Sequence, residues 1–457
     1  MNKNYIQLVV IKTSFLKVIY RIKNSLLLNV FTDEMASNVD FSNPKLNSIY
    51  LAKITEKAEQ LGCFFIKLDA ANNGLIKFHK NNQHFILGQK ILVQVIKEAT
   101  LPAKLCICSD DLTLTGALVV YKPKGKNIIF SKNLSSQQRE EIKAEVVFKE
   151  GEGLIIRSLY KHTLLSYLVE EIKELKERYT SFLQQPNLGL IYQTNILENI
   201  ILGNSKLLPQ QIITSDLEEI KFIKEFNHKY HFLNIELLYY TKPQDILQVY
   251  TLDEQVEIAN SRKYQVDDNL NLIFIEHESF TYIDVDFKGN SYINNTKEEA
   301  FYKSNLKLLP IIFQQIMVRN LSGQILIDVL KITNKHYKNH IVQALQDMFI
   351  VDENKTSVLG FSNLGLIEIS RQKLKDSLRT YNNDSFYLTA FYFIHQLKSI
   401  ISLDPLVKFN IQANSNELNL LKRIAAYDFQ HLEACLSQKI TYTINEDLHT
   451  PTFNKLP

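Results

Sequence analysis

The sequence has few cysteines and no paired cysteine motif. Its 457 residues include four, at positions 63, 106, 108 and 435, and none belongs to a CxxC pattern. Without a secretory signal, this excludes a small fold held together by disulfides. Cys106 and Cys108 would share one face of a strand. Because no histidine or second cysteine pair lies nearby in the sequence, we expect two buried thiols there rather than a metal site.

Long apolar runs are also missing. No segment approaches the roughly 18 uninterrupted apolar residues of a membrane-spanning helix, and no small-residue cleavage site follows a compact apolar core. Residues 1–31 are apolar but carry five basic residues and no acid. A basic amphipathic segment on a membrane surface or on RNA is one interpretation; we favour a strand-rich start of the folded domain. We therefore predict a cytoplasmic protein with no transmembrane segment.

The chain has no excess of charge of either sign. Its 52 basic and 49 acidic side chains leave a net charge of +3. Any surface that binds nucleic acid must therefore be a local basic patch. The apolar fraction of 45% and the charged fraction of 22% are ordinary for a globular protein. The length suits about two to four domains.

Short alternating segments follow one another between residues 47 and 116. They cover 48–54, 63–68, 74–79, 90–95 and 103–107 and are separated by Gly, Asn, Asp and Pro. Five strands at this spacing predict a small Greek-key barrel of the OB type. Such barrels bind single-stranded nucleic acid by stacking bases on exposed aromatic rings beside basic residues. Since Phe64 and Phe65 are adjacent in a strand, we expect one to face the core and the other the outside, unless both are buried at a barrel end.

Helices and strands alternate after this region. Apolar residues at three- and four-residue steps predict a helix over 162–184, after a strand at 153–159. A hairpin at 272–276 and 282–287 precedes a helix at 297–318, a strand at 324–327, a helix at 335–349 and a strand at 364–370. Helices at 386–403 and 417–436 form a smaller C-terminal unit. This order indicates an α/β architecture.

Acidic residues stand at the ends of two predicted strands. Asp284 and Asp286 share one face of their strand because side chains alternate, and Asp328 ends the next apolar strand, where open α/β sheets place functional groups. Carboxylates that converge in this way remain ionised more readily with a cation between them. A hard, oxygen-liganded ion such as Mg²⁺ suits them. Taken alone the pattern is weak, since such acids commonly cap helices or face solvent.

An ordered set of short motifs strengthens this interpretation. They are YIDVD at 282–286, RNLSG at 319–323, ID at 327–328 and GLIEISRQ at 365–372, preceded by NSIY at 47–50, GQKILVQV at 88–95 and GLIIRS at 153–158. In order and approximate spacing the set resembles the ribonuclease E/G family, closer to the short ribonuclease G type, over residues 25–380.

The resemblance implies an architecture of α/β and β domains. An S1-like OB barrel (47–120) is inserted in an RNase H-like domain (1–46 and 121–265). A DNase I-like catalytic domain (266–380) and a small C-terminal domain (381–457) follow. It also implies cleavage of single-stranded RNA that leaves a 5′-phosphate on the downstream product, with one Mg²⁺ per active site.

The resemblance further implies roles for individual residues. Asp284 and Asp328 stand at the two metal-binding positions, and Asp286 stands beside them in the catalytic site. Arg157 and Ser158 match a pair that senses a 5′-monophosphate, as a guanidinium fork and a hydroxyl would. Phe65 matches a stacking aromatic of the family's OB domain. The other expected RNA contacts are Lys67, Lys77, Lys132, Asn305, Arg319 and Arg371, although Lys67, Lys77 and Arg319 could equally be solvated surface charges.

The sequence departs from the family pattern at several positions. Asp286 replaces a usual asparagine, Leu75 replaces a second stacking aromatic, and Lys132-Asn133 replaces an arginine pair. Val329-Leu330-Lys331 follows Asp328 without the usual second acid. No CPxC motif follows Leu378. Since that motif shares a zinc ion between subunits in relatives, zinc is not expected, and a homodimer would need other contacts.

Three functions fit these observations to different degrees. The retained aspartates favour an active endoribonuclease of RNA processing or decay. The losses at Leu75, at Asn133 and in the zinc motif favour a paralogue that binds RNA as a scaffold and cleaves poorly. A plain single-strand binding module explains only residues 47–116.

His336 and His340, four residues apart on a predicted helix, have no third ligand, so we expect exposed or phosphate-facing side chains.

Overall fold

The computed structural model describes residues 5–35, 44–80, 82–99, 105–146, 151–242, 244–277, 279–288, 297–404, 406–436, 440–448 and 450–456. The strands within these ranges are β1 (Ile6–Lys12), β2 (Leu16–Lys23), β3 (Leu26–Glu34), β4 (Ile49–Ala58), β5 (Cys63–Lys67), β6 (Asn73–Lys77), β7 (Lys90–Lys97), β8 (Cys106–Ser109), β9 (Leu114–Thr115), β10 (Val119–Lys122), β11 (Ile128–Phe130), β12 (Gly153–Ile156), β13 (Gly189–Tyr192), β14 (Gln211–Thr214), β15 (Glu236–Tyr239), β16 (Lys263–Gln265), β17 (Leu270–Glu276), β18 (Phe280–Phe287), β19 (Gly323–Asp328), β20 (Thr356–Phe361), β21 (Ile367–Arg371), β22 (Lys408–Ala413), β23 (Thr441–Ile444) and β24 (Thr452–Leu456). The α-helices are α1 (Ser136–Glu145), α2 (Leu165–Leu183), α3 (Ile196–Gly203), α4 (Leu217–Lys229), α5 (Ile246–Val249), α6 (Leu252–Asn260), α7 (Lys297–Val318), α8 (Lys335–Phe349), α9 (Leu378–Ser385), α10 (Tyr387–Leu403), α11 (Ser415–Ile424) and α12 (Ala426–Cys435).

Contacts divide the chain into two compact units. The first falls within Met1–Asp40, Pro209–Lys224 and Glu236–Pro457, and the second within Phe41–Leu208 and Glu225–Ile235. This division is coarser than the five domains expected from the sequence, whose boundaries and RNase H-like and DNase I-like types stay predictions. Among the described helices, none combines the length and the apolar character needed to cross a membrane.

The first unit begins with strands, as predicted. β1, β2 and β3 form an antiparallel meander, and β14 and β15 extend it on the β1 side as parallel strands, giving the order β15-β14-β1-β2-β3. Almost every side chain of β1 and β2 is buried, which explains why the start of the sequence is so apolar. The chain leaves this sheet after β3 and returns to it at β14.

A six-stranded mixed sheet of order β16-β17-β18-β19-β21-β20 occupies the middle of the first unit. The predicted hairpin is β17 with β18, and β19 then pairs with β18 in parallel. Helix α7 connects β18 to β19 and buries Leu308, Leu309, Ile312 and Ile316 at helical spacing. The predicted helices over 297–318 and 335–349 have the bounds of α7 and α8.

The C-terminal part of the first unit contains a three-stranded sheet, β23-β22-β24, and three helices after Phe386. The single helix predicted over 417–436 is two helices, α11 and α12, which meet at Ala425. Both halves bury apolar residues, among them Leu421 and Phe429. The apolar periodicity therefore continues across the break, and this is why the sequence predicts one helix.

The second unit contains the predicted barrel. β4-β5-β6-β8-β7 are hydrogen-bonded in that order, and β7 also pairs with β4, which closes the ring. β13 adds to the outside of β4. The thiols of Cys106 and Cys108 are free and buried, as expected. A second sheet of order β11-β12-β10-β9 packs against α2, whose Leu168, Ile172 and Leu175 are buried.

Candidate functional site

Asp284 and Asp328 face each other across neighbouring strands: Asp328 ends β19, and Asp284 lies three residues before the end of β18. Parallel pairing of β18 with β19 places Asp284 opposite Asp328, while Ile283 and Ile327 are fully buried on the other face. Asp286 lies two residues further along the Asp284 face, and all three carboxylates are half-buried. The alternation of side chains in the two strands thus brings Asp284 and Asp328 to one face of the sheet.

Negative charge accumulates at this pair. Burial, and then the carboxylates of Asp328 and Asp286, raise the pKa of Asp284 above its usual range. The hydroxyl of Tyr282 donates a hydrogen bond of 2.8 Å to Oδ2 of Asp328. Burial and this bond raise the pKa of Tyr282 to about 12. Tyr282 was not among the predicted site residues, although its position two residues before Asp284 places it on the same face of β18.

Asn305 shapes the turn after Asp328 from within the core. Its side chain is fully buried on α7. Its amide donates to the carbonyl of Leu330 at 2.7 Å, and its oxygen accepts from the amide of the same residue at 3.0 Å. The side chain therefore fixes the backbone two residues beyond Asp328. This is a positioning role, and the burial leaves no surface for the RNA contact that the resemblance implied.

Two residues that were expected to contact RNA, Arg319 and Arg371, have buried side chains. Arg319 is 1% exposed, donates to the carbonyls of Ser261 and Ile258, and lies 3.8 Å above the ring of Phe274. Burial lowers its pKa to about 10.

Arg371 is 3% exposed. It forms a two-point ion pair with Asp352, at 2.7 and 3.0 Å, and also donates to the carbonyl of Leu321. The donors of both arginines are therefore used inside the protein, where they join separate segments of the fold. The RNA contacts expected of them stay predictions, which this burial does not favour.

The barrel presents Phe65 on its outer surface. Phe64 is 1% exposed and packs in the core, whereas Phe65 is half-buried on the opposite face of β5. The exposed Lys67 lies on the same outer face, and strand pairing places Leu75 opposite Phe65, with the exposed Lys77 next on that face of β6. The structure therefore brings together the three barrel residues that the sequence predicted, with Leu75 beside the ring.

The expected 5′-phosphate sensor lies at one end of the smaller sheet in the second unit. β11 and β12 are parallel and pair Phe130 with Ile156, so Lys132 and Ser158 follow at the same end. Lys132 is exposed. Ser158 is 3.3 Å from the hydroxyl of Ser205. The guanidinium of Arg157 donates to the carbonyl of Gly116 at 2.6 Å, and burial lowers its pKa.

A buried carboxylate supports this end of the sheet. Glu171 of α2 accepts hydrogen bonds from the amides of Ala117, Leu118 and Val119. A Cβ atom added at Gly116 would lie 2.4 Å from the Glu171 carboxyl carbon. A side chain at position 116 would therefore displace this carboxylate from its three amide donors. Nothing in the sequence identifies Glu171 as more than a solvated charge of the α2 helix.

The donor set at the aspartate pair fits a magnesium ion. Magnesium in proteins is held by one or two carboxylates, and water and substrate phosphates complete its shell. Asp284 and Asp328 supply two such carboxylates, and the raised pKa of Asp284 reflects a charge that a cation would offset. Over the described residues, no group of three or more His, Cys, Asp or Glu side chains is placed to hold a metal.

Comparisons with known proteins agree with the motifs. A sequence profile of the Ribonuclease E/G family matches residues 113–374. The chain is 28% identical to Ribonuclease G of Haemophilus influenzae over 307 residues, which cover 64% of this chain and 61% of the relative.

Two further relatives show similar levels of identity. The chain is 25% identical to Ribonuclease G of Escherichia coli over 304 residues, which cover 64% of this chain and 61% of that protein. The chain is 28% identical to a Ribonuclease E/G-like protein of Pyropia yezoensis over 346 residues, which cover 72% of this chain and 66% of that protein. The chain belongs to the ribonuclease E/G family, and it spans about three fifths of the length of the Ribonuclease G relatives it matches.

Proposed function

We propose that this protein is a magnesium-dependent endoribonuclease that hydrolyses single-stranded RNA, with Asp284 and Asp328 as the metal-binding pair. The observation that carries the proposal is the pairing of these two half-buried carboxylates on adjacent parallel strands. The family membership supports the same activity, since Ribonuclease G is the name of several of its relatives.

The residues of the site have distinct parts in this proposal. Asp284 and Asp328 would hold Mg²⁺, and a bound ion would supply polarisation of the phosphodiester and a lowered pKa for water. Asp286 orients the site from the same face. The Tyr282 hydroxyl holds Oδ2 of Asp328, so the other oxygen of that carboxylate is directed toward a ligand. Hydrolysis adds water across the P–O3′ bond, which leaves a 5′-phosphate on the downstream product and a 3′-hydroxyl upstream.

Residues of the second unit are proposed to make further contacts with the substrate. We propose that a base stacks on Phe65 while Lys67 and Lys77 contact phosphates, as in other single-strand binding barrels. Leu75 offers apolar contact but no ring for a second base. Arg157, Ser158 and Lys132 are proposed to bind a 5′-monophosphate. Since Arg157 already donates to the carbonyls of Gly116 and Gly203, the phosphate would receive its remaining N–H groups.

The test is cleavage of a 5′-monophosphorylated, AU-rich oligoribonucleotide in Mg²⁺. Asp284→Asn and Asp328→Asn should bind RNA but cut at least about a hundredfold more slowly, because a metal ligand supplies several kcal/mol to the transition state. Asp268→Asn removes an exposed charge from the same sheet region and should cut like the wild type.

A folded wild-type protein that binds the oligomer and leaves it intact in both Mg²⁺ and Mn²⁺ would instead indicate an RNA-binding paralogue that acts as a scaffold. A role in rRNA or mRNA processing, a location in the cytoplasm, and a homodimer without a zinc link stay predictions.

A further inference from the structure

Two tyrosines and two histidines cluster where α7 meets α8. The rings of Tyr302 and Tyr337 are stacked, with centroids 4.0 Å apart and planes 11° apart. The Tyr302 hydroxyl is hydrogen-bonded to Nδ1 of His340. The ring of His336 lies 6.4 Å from that of Tyr337. Tyr302, His336, Tyr337 and His340 are called here the tyrosine–histidine surface. Both imidazoles are exposed and both phenols are half-buried.

This surface adjoins the aspartate pair through three contacts of α7. The ring of Phe287, the residue after Asp286, lies 6.3 Å from that of Phe301. Asn305 holds Leu330, two residues after Asp328. Glu298 accepts from the amides of the two residues that precede α8.

Glu298, Tyr302 and Asn305 are spaced four and three residues apart, so they share one face of α7. Tyr302 is therefore less than one helical turn, about 5 Å along the axis, from the residue that fixes the turn after Asp328.

The charge around the surface is positive. Residues 331–340 contain three lysines and two histidines but no acid. The two acids at the start of α7 are already engaged: Glu298 binds backbone amides, and Glu299 forms an ion pair of 2.7 Å with Lys303. Exposed basic side chains beside stacked rings are the combination that binds single-stranded nucleic acid without reading its sequence.

The hydrogen bond within the surface sets the donor pattern of one histidine. A phenol is a better donor than a neutral imidazole, so Tyr302 donates to Nδ1 of His340. The ring proton of His340 then resides on Nε2, which is a donor. An RNA phosphate is an acceptor only, so the Nε2–H of His340 matches it in hydrogen bonding.

We propose that the tyrosine–histidine surface binds the RNA strand next to the bond that is cut. A base stacks on the Tyr302–Tyr337 pair, and a neighbouring phosphate accepts hydrogen bonds from His336 and His340. The proposal rests on the proposed function, because it places the RNA next to a bond that is cut. Its test does not depend on that function, since RNA binding can be measured without cleavage. It gives a role to the two histidines that the aspartate site leaves unexplained.

The test measures RNA affinity in an Asp328→Asn background, where cleavage does not interfere. Fluorescence anisotropy with a labelled single-stranded oligoribonucleotide in Mg²⁺ gives Kd. Tyr337→Leu should raise Kd about tenfold, the loss expected for one stacked base, whereas Tyr337→Phe keeps the ring and should bind like its parent. The double variant His336→Gln/His340→Gln should also raise Kd severalfold. His431→Gln removes an exposed histidine from α12 and should change nothing.

The outcomes separate this proposal from the nuclease proposal. The proposal for the tyrosine–histidine surface would be overturned if Tyr337→Leu and the double histidine variant both kept the parent's Kd and thermal midpoint. That result would not affect the nuclease proposal, which depends on cleavage by the wild type. A wild-type protein that does not cleave RNA, together with weaker RNA binding by these variants, would overturn the nuclease proposal. The proposal for the tyrosine–histidine surface would then stand. If Tyr337→Leu does not fold, the double histidine variant decides, because both of its side chains are exposed.

Discussion

Replacing Arg371 by alanine should destabilise the first unit without directly affecting RNA binding. The Arg371 and Asp352 side chains are 3% and 1% exposed, and two hydrogen bonds of 2.7 and 3.0 Å join them. Asp352 also accepts from the hydroxyl of Thr356 at 2.6 Å. Breaking a buried ion pair by removing one partner costs about 3 to 5 kcal/mol, because the remaining charge stays buried. We expect that loss in the free energy of unfolding.

The measurement is urea unfolding followed by circular dichroism, with RNA affinity determined in parallel below the transition. Asp352→Leu alone should be as harmful as Arg371→Ala, while the double variant Arg371→Met/Asp352→Leu should recover most of the loss, because it removes both charges. The reasoning would be refuted if Arg371→Ala kept its urea midpoint but bound RNA at least tenfold more weakly. Arg371 would then contact RNA, as the family resemblance implied.

Three further predictions follow from other parts of the structure. Phe64→Ala should cost about 3 to 5 kcal/mol of stability, since the ring is buried against Phe78 at 4.7 Å; Phe65→Ala should instead weaken RNA binding about tenfold with little change in melting temperature. Arg319→Met should lower the free energy of unfolding by about 2 kcal/mol or more, because the carbonyls of Ser261 and Ile258 lose a charged donor. Asp284→Asn should raise the melting temperature in EDTA at neutral pH. A raised folded pKa means that Asp284 favours folding only at low pH, a benefit that is lost as the pH rises through that pKa. The difference should vanish below about pH 4, and Mg²⁺ should stabilise the wild type much more than the variant. Equal melting temperatures in EDTA, or equal stabilisation by Mg²⁺, would contradict the charge repulsion described at the pair.

Periodicity was sufficient to predict much of the fold. The barrel, the hairpin and the helices α7 and α8 follow from alternation and from three- and four-residue steps, which are local properties. The same alternation placed Asp284 and Asp286 on one face of β18. The pairing of Asp284 with Asp328 needed more, because the register between β18 and β19 is determined by the connection through α7 and by packing. The ordered motifs supplied that information.

The arginines show where local reasoning fails. Arg371 was expected to contact RNA because of the family resemblance, and Arg319 was expected either to contact a phosphate or to be a solvated surface charge. Their burial depends on acceptors distant in sequence, Ser261 for one and Asp352 for the other. Glu171 was missed for the same reason, since its hydrogen-bond partners lie 52 residues or more away. A side chain whose role depends on a distant partner has no local signal.

The return of the chain to its first sheet has a consequence for synthesis. Gln7 of β1 is paired with Gln211 of β14, and their separation along the sequence is 204 residues. At about 5 to 20 residues per second, the ribosome needs roughly 10 to 40 s to make the intervening chain. During that time the apolar β1 has an open edge, and such edges promote aggregation. We expect nascent chains that stop before residue 211 to depend on chaperones, and a variant with a shorter connection between β3 and β14 to depend on them less.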